Sequence, residues 1–87
     1  MDHFTTPDFW RDYNALPAEV RELADKNFAL LREDPSHPSL QFKETKADVW
    51  SARVGLHYRA VAFREEDGYY WFFLGTHAEY DRLLARL

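Results

Sequence analysis

Val49 to His77, VWSARVGLHYRAVAFREEDGYYWFFLGTH, holds three short runs of strand-forming residues, parted by Gly55-Leu56-His57 and by Glu66-Asp67-Gly68. Trp50, Val54, Tyr58, Val61, Phe63 and Tyr69 to Phe73 are β-branched or aromatic, which suits a pleated, half-buried surface. Both breaks are short and contain glycine, so the stretch reads as two consecutive hairpins forming an antiparallel meander. A three-residue first loop, Gly55 to His57, sets Val54 opposite Tyr58. Trp50, Ala52, Val54, Tyr58, Ala60 and Ala62 then share one face, and Ser51, Arg53, Arg59 and Val61 share the other. A two-residue loop would mix these sets, because a slip of one residue flips every side chain. Arg53 and Arg59 thereby become directly opposed neighbours. Like charges in that relation are destabilising, so either an anion sits between them or each turns to solvent or to a glutamate. A second hairpin turning at Asp67-Gly68 would put Glu66 opposite Tyr69 and Arg59 opposite Thr76, with His77 beside Arg59.

Working outward, Met1 to Thr5 is long enough only for a stub of edge strand. Thr6-Pro7-Asp8 is a helix start: a Thr cap, Pro at the first helical position and an acidic residue in the first turn. Leu16-Pro17 interrupts, and a second helix follows with Leu16, Val20, Leu23, Ala24 and Leu31 as its apolar stripe. Asn27 falls in that stripe and is assigned to a neighbouring backbone group. Asp34-Pro35-Ser36-His37-Pro38 ends the helix, and Leu40 to Glu44 is read as an edge strand. After the meander, Thr76-His77-Ala78-Glu79 fits a capping box. Tyr80, Leu83, Leu84 and Leu87 then form a stripe at helical spacing that must lie on the sheet. Helices are expected over 7–15, 18–33 and 77–86, and strands over 49–54, 58–65 and 69–75. Trp50, Tyr58, Ala60, Val20, Leu23, Leu31, Leu83 and Leu84 are expected to be buried.

At 87 residues the chain is read as a single domain, residues 1–87, which buries roughly 60% of its unfolded surface. It has no cysteine, so a disulfide, a thiolate metal site and a thiol nucleophile are all excluded. No histidines and carboxylates stand at metal-ligand spacing, and no metal or other cofactor is expected. No apolar run approaches the roughly 20 residues of a membrane helix, and a cytoplasmic location is expected. Net charge is −4, unevenly spread. Residues 40–64 carry Lys43, Lys46, Arg53, Arg59 and Arg64 against Glu44 and Asp48, so the basic charge lies in the sheet of an acidic protein. That suits a local phosphate site and opposes nucleic-acid binding by bulk electrostatics.

Taken in order, the signatures LP..V from Leu16, DP..PSL.FK from Asp34, WS.RV from Trp50, YRA from Tyr58 and G.H.EYD.LL from Gly75 span nearly the whole chain. Together they resemble the RelE/ParE superfamily, the toxins of type II toxin–antitoxin systems. The resemblance implies an α+β fold: an N-terminal helical hairpin, an antiparallel β-meander and a C-terminal helix packed on the sheet. In the RelE-like branch it implies ribosome-dependent messenger RNA cleavage. Arg59 matches the family's sheet arginine, Tyr80 sits near its C-terminal tyrosine, and His77 matches a histidine that some members use. Arg53, Lys43 and Lys46 are the implied RNA or phosphate ligands, standing in for paired lysines that RelE carries on its strand. Cleavage by a 2′-hydroxyl needs a base, cationic stabilisation of the phosphorane and an acid for the leaving oxygen. Histidine can do either proton job near neutrality.

In the ParE-like branch the implied activity is inhibition of DNA gyrase by a protein contact. A third reading is a non-toxic binding module that kept the fold. RNA cleavage is placed first, because a pure binder has no need to bring His77 and Tyr80 to Arg59. The implied partners are a cognate antitoxin, with ribosome and messenger RNA or gyrase as the target. The aromatic surface around Phe63, Tyr70 and Phe72 is expected to meet the antitoxin, or to form a homodimer contact in its absence.

Overall fold

The protein is described over residues 1–87 by a computed structural model. Its elements in chain order are β1 (Asp2–Thr5), α1 (Pro7–Asn14), α2 (Ala18–Glu33), a 3-10 turn (Pro38–Leu40), β2 (Lys43–Lys46), β3 (Val49–Val54), β4 (Tyr58–Glu65), β5 (Gly68–Thr76) and α3 (His77–Arg86). The strands make one sheet in the order β1-β5-β4-β3-β2. β1 runs parallel to β5, and the other neighbours are antiparallel. Three helices on a mixed sheet built from a central meander give the expected α+β architecture.

The first hairpin has the expected register, with Val54 opposite Tyr58 and Arg53 opposite Arg59. Gly55 takes φ +62° at the start of its loop, a conformation that costs a glycine nothing. The second hairpin departs from the expected register, by two residues at the turn and by one at the far end. It closes with Glu65 opposite Gly68, and a bulge at Phe72 then shifts the pairing by one, so Arg59 lies opposite Gly75 and Tyr58 opposite Thr76. Gly68 is needed where β1 crosses its end, since a Cβ there would collide with the Asp2 carbonyl. Beyond β1 the outer edge of β5 is satisfied by α1. Thr6 gives its N–H and its hydroxyl to the Trp71 carbonyl, and the Asp12 carboxylate accepts from the Leu74 N–H. Buried backbone groups need such partners.

The two sheet faces are covered unequally. α1 and α2 seal one face over Leu16, Val20, Ala24, Leu31, Ala52, Val54, Ala60, Ala62, Trp71 and Leu74. Asn27 donates to the Arg53 carbonyl, the backbone role its position in the stripe suggested. α3 covers part of the other face, where Tyr80 is buried on Val49 and Val61.

Several burial expectations are corrected. Leu23 is 40% exposed, because Val20, Ala24, Asn27 and Leu31 form the inward line and Leu23 lies on its flank. Leu83 and Leu84 are half-buried, since α3 lies mainly along β4 and β5, while Tyr80, a turn earlier, reaches β3 at Val49 and Ser51. Trp50 and Tyr58 are half-buried as well. The edge strand expected at Leu40 to Glu44 begins at Lys43, because Pro38–Leu40 coils into the 3-10 turn and Gln41 takes a left-handed φ of 45°.

Candidate functional site

Alternation along β3 and β4 places Ser51, Arg53, Arg59 and Val61 on the α3 face. Arg53 and Arg59 escape mutual repulsion by parting. Arg53 folds back toward the hairpin loop, its Nε donating to the Gly55 carbonyl at 2.9 Å. Arg59 turns inward beneath α3 and is only 6% exposed. Its Nη2 donates to Ser51 Oγ at 2.9 Å, and Gln41 offers its side-chain and main-chain oxygens at 3.4 and 3.5 Å. The Tyr80 ring lies over the guanidinium, 5.0 Å from carbon to centroid, a contact worth about 2 kcal/mol when desolvated. The Tyr80 hydroxyl bonds to the same Ser51 oxygen at 3.3 Å, and Ser51 is fully buried.

No carboxylate lies within ion-pair distance of Arg59, and its Nε has no partner at all. Buried charges are ordinarily paired. This one is held by neutral oxygens and an aromatic face, so its positive charge is left undischarged. A depression of about 280 Å³ opens beside it, lined by Gln41, Arg53, Leu56, Tyr58, Arg59 and His77. Two guanidiniums and an imidazole therefore meet at one end of the sheet, an arrangement suited to a phosphate.

His77 stands at the first position of α3, whose start is pinned three ways. Thr76 and Glu79 close the capping box, with Glu79 accepting from the Thr76 N–H at 2.8 Å. The His77 N–H donates to the His57 carbonyl at 2.9 Å, tying the helix to the first hairpin. The hydrogen bonds from Thr76 hold the Glu79 carboxyl below its ordinary range. The His77 ring is exposed, and its Nδ1 lies 3.3 Å from Asp81 Oδ2.

Of the residues singled out in the sequence, Arg53, Arg59 and His77 converge on the depression. Tyr80 roofs Arg59 and turns its hydroxyl to Ser51. Lys43 and Lys46 sit on β2 opposite Ser51 and Val49, exposed and outside the depression's lining. Sequence reasoning passed over Ser51, Gln41 and Asp81. Ser51 had a signal, a hydroxyl alternating with two arginines and a valine on one face, and Asp81 stands one helical turn after His77. No group of three or more histidine and acidic side chains is gathered as a metal site. No helix is long and apolar enough to cross a membrane.

Comparison with solved structures finds the same fold. The RelB–RelE antitoxin–toxin complex from Methanococcus jannaschii aligns with a TM-score of 0.70 at 17% identity, over 91% of this chain and 96% of that one. A YoeB/ParE toxin from Agrobacterium tumefaciens aligns at 0.67 and 20% identity, over 88% and 99%. The isolated Escherichia coli RelE toxin aligns at 0.63 and 14% identity, over 98% and 97%. The fold is RelE/ParE-like. No protein-family model and no curated protein sequence matches the chain. At these identities the likeness is one of RelE/ParE architecture, and the site rests on its own geometry.

Proposed function

We propose that the chain is the toxin of a type II toxin–antitoxin pair and cleaves messenger RNA on the ribosome. The observation that carries the chemistry is the buried Arg59 guanidinium, uncompensated by any carboxylate and lining one depression with Arg53 and His77. In this reading Arg59 and Arg53 take the scissile phosphate and stabilise the charge that develops on it. His77 removes the proton of the attacking 2′-hydroxyl. The bond from 2′-oxygen to phosphorus forms as that to the 5′-oxygen breaks, and the departing oxygen takes a proton from His77 or water. Tyr80 serves by holding Arg59 in place, and Lys43 and Lys46 meet RNA farther along the same face.

The antitoxin partner belongs to the same reading. Phe63, 39% exposed, stacks on Phe72 at 4.3 Å, and Phe4 on Tyr70 at 4.8 Å. A segment of the antitoxin would cover these rings. Net charge favours the alternative, a gyrase inhibitor acting by protein contact, since −4 suits a protein target better than ribosomal RNA.

The test is expression of the chain alone in a bacterium, with growth, primer extension on messenger RNA and DNA supercoiling as readouts. His77→Ala is expected to restore growth and leave transcripts intact. Tyr80→Phe keeps the ring over Arg59 and is expected to retain toxicity. Full toxicity of His77→Ala, with intact transcripts and stalled replication, would sink the ribonuclease reading and leave gyrase inhibition.

A further inference from the structure

We propose that Asp81 is a positioning residue for His77. It holds the neutral imidazole as the Nδ1–H tautomer and leaves Nε2 as the free lone pair at the depression. The catalytic consequence rests on the ribonuclease reading above, whereas the tautomer does not.

The geometry starts from α3. His77 and Asp81 are four residues apart on one face of a helix, so their side chains meet, and Nδ1 lies 3.3 Å from Oδ2. An ionised carboxylate can only accept, so the proton of that bond must be on Nδ1. Which nitrogen of a histidine carries its proton is set by the bond the other makes. Asp81 is the single carboxylate in contact with the ring, because Glu79 is spent on the capping box. The backbone beneath the ring is fixed, the His77 N–H tied to His57 and the cap closed by Thr76, and the ring makes a T-shaped contact with Tyr80 at 5.6 Å between centroids.

The arrangement has a use beside Arg59. A base needs an unprotonated nitrogen turned to the hydroxyl it serves. When Nε2 takes the 2′-hydroxyl proton, the imidazolium gains a positive charge next to two arginines. The Asp81 carboxylate, on the far nitrogen, offsets that charge without touching the phosphate. Placed against Arg59, the same carboxylate would cancel the cation the phosphate needs.

The test has two arms on the full chain. Long-range proton–nitrogen NMR on labelled protein at pH 8 reads the tautomer of His77, assigned by its loss in His77→Ala. Wild type is expected to show Nδ1–H, and Asp81→Ala to move His77 to the Nε2–H form. In the second arm, cleavage of messenger RNA on purified ribosomes is expected to lose at least about 10-fold in kcat in Asp81→Asn, part of the roughly 10²- to 10⁴-fold that a positioned base contributes, with KM unchanged. An Nε2–H tautomer in wild type, or one unmoved by Asp81→Ala, overturns the proposal whatever the protein's activity. So does an unchanged kcat in Asp81→Asn. A wild-type chain that cleaves no RNA at all fails the ribonuclease reading instead, and the NMR arm still decides the tautomer.

Discussion

The two faces of the sheet are made from the same strands and serve opposite ends. Under α1 and α2 the inward residues are apolar or aromatic, and the helices close over them. Under α3 the same alternation brings up Ser51, Arg53 and Arg59 beside Val49 and Val61, and one ten-residue helix leaves aromatic rings and a depression uncovered. The first face pays for the second. A buried, unpaired guanidinium is tolerated only because stability comes from elsewhere. The difference locates function on the face where packing is incomplete.

The strongest way to break the comparison is to open the closed face. Trp71 is buried under α1, and its carbonyl anchors Thr6. Trp71→Ala should cost about 3–5 kcal/mol, a large part of the stability of a domain this small. Urea unfolding reads it, and a loss below about 1 kcal/mol would deny that this face holds the fold.

Next comes Arg59→Met, which should separate the faces. It keeps volume and removes both the buried charge and the orphaned Nε. Ser51 retains its bond from Tyr80. Replacing a buried charge by a hydrophobe of similar size is often neutral or stabilising, so unfolding free energy should stay within about 1 kcal/mol of wild type or rise. Toxicity should vanish, with RNA cleavage down roughly 100- to 1000-fold, equivalent to about 2.7–4 kcal/mol. A folded, fully toxic variant would remove Arg59 from the site.

A smaller effect lies inside the closed face, where Ala24, Ala52 and Ala60 are among the residues lining a partly open apolar crevice of about 40 Å³ beneath α2. Filling an enclosed space of that size would be worth about 1 kcal/mol at about 24 cal/mol per Å³, which sets the upper bound for a crevice. Ala52→Val suits a strand and should recover at most that much, read as a higher urea midpoint at unchanged slope. A lower midpoint would mean that the neighbours have already relaxed into the space.

These contrasts were partly legible in the sequence. The first hairpin was, because Val54-Gly55-Leu56-His57-Tyr58 admits one loop length that keeps alanines and arginines on separate faces. From that register alone Arg53 and Arg59 could be brought together, whereas His77 was placed beside Arg59 through a second-hairpin register that is off by one residue there. The second hairpin was not, because Tyr69 to Leu74 is apolar at every position and the period of two that would reveal the bulge at Phe72 is absent. Burial of Arg59 was also hidden. Alternation tells which face a side chain takes, whereas only the path of α3 decides whether that face is wet. Gln41 reaches Arg59 through a left-handed backbone after a 3-10 turn, a conformation that Leu40-Gln41-Phe42 does not announce.

The smallest expected effect separates the faces by pH. On the closed face, burial, the N-terminal ammonium and Arg32 hold His3 below its ordinary value of 6.5, with Asp2 acting the other way. The ring stacks on Tyr69 at 5.3 Å between centroids, and its Nδ1 accepts from Trp71 Nε1 at 3.0 Å, a bond that a proton on Nδ1 would abolish. As pH falls below about 6.5 the unfolded chain takes up this proton before the folded one does. Stability must therefore fall with pH in that window, and stop falling on this account once the lower folded value is passed. On the α3 face Glu79 is held below its ordinary value of 4.5 by its bonds from Thr76, so the stability it lends persists down to about that pH and is lost below it. Urea midpoints measured from pH 7.5 to 3.5 should show a first decline that His3→Phe removes and a second, at lower pH, that Glu79→Gln removes. A wild-type profile flat between pH 7 and 5, or a first decline that survives His3→Phe, would mean that the imidazole is no part of the closed face's packing.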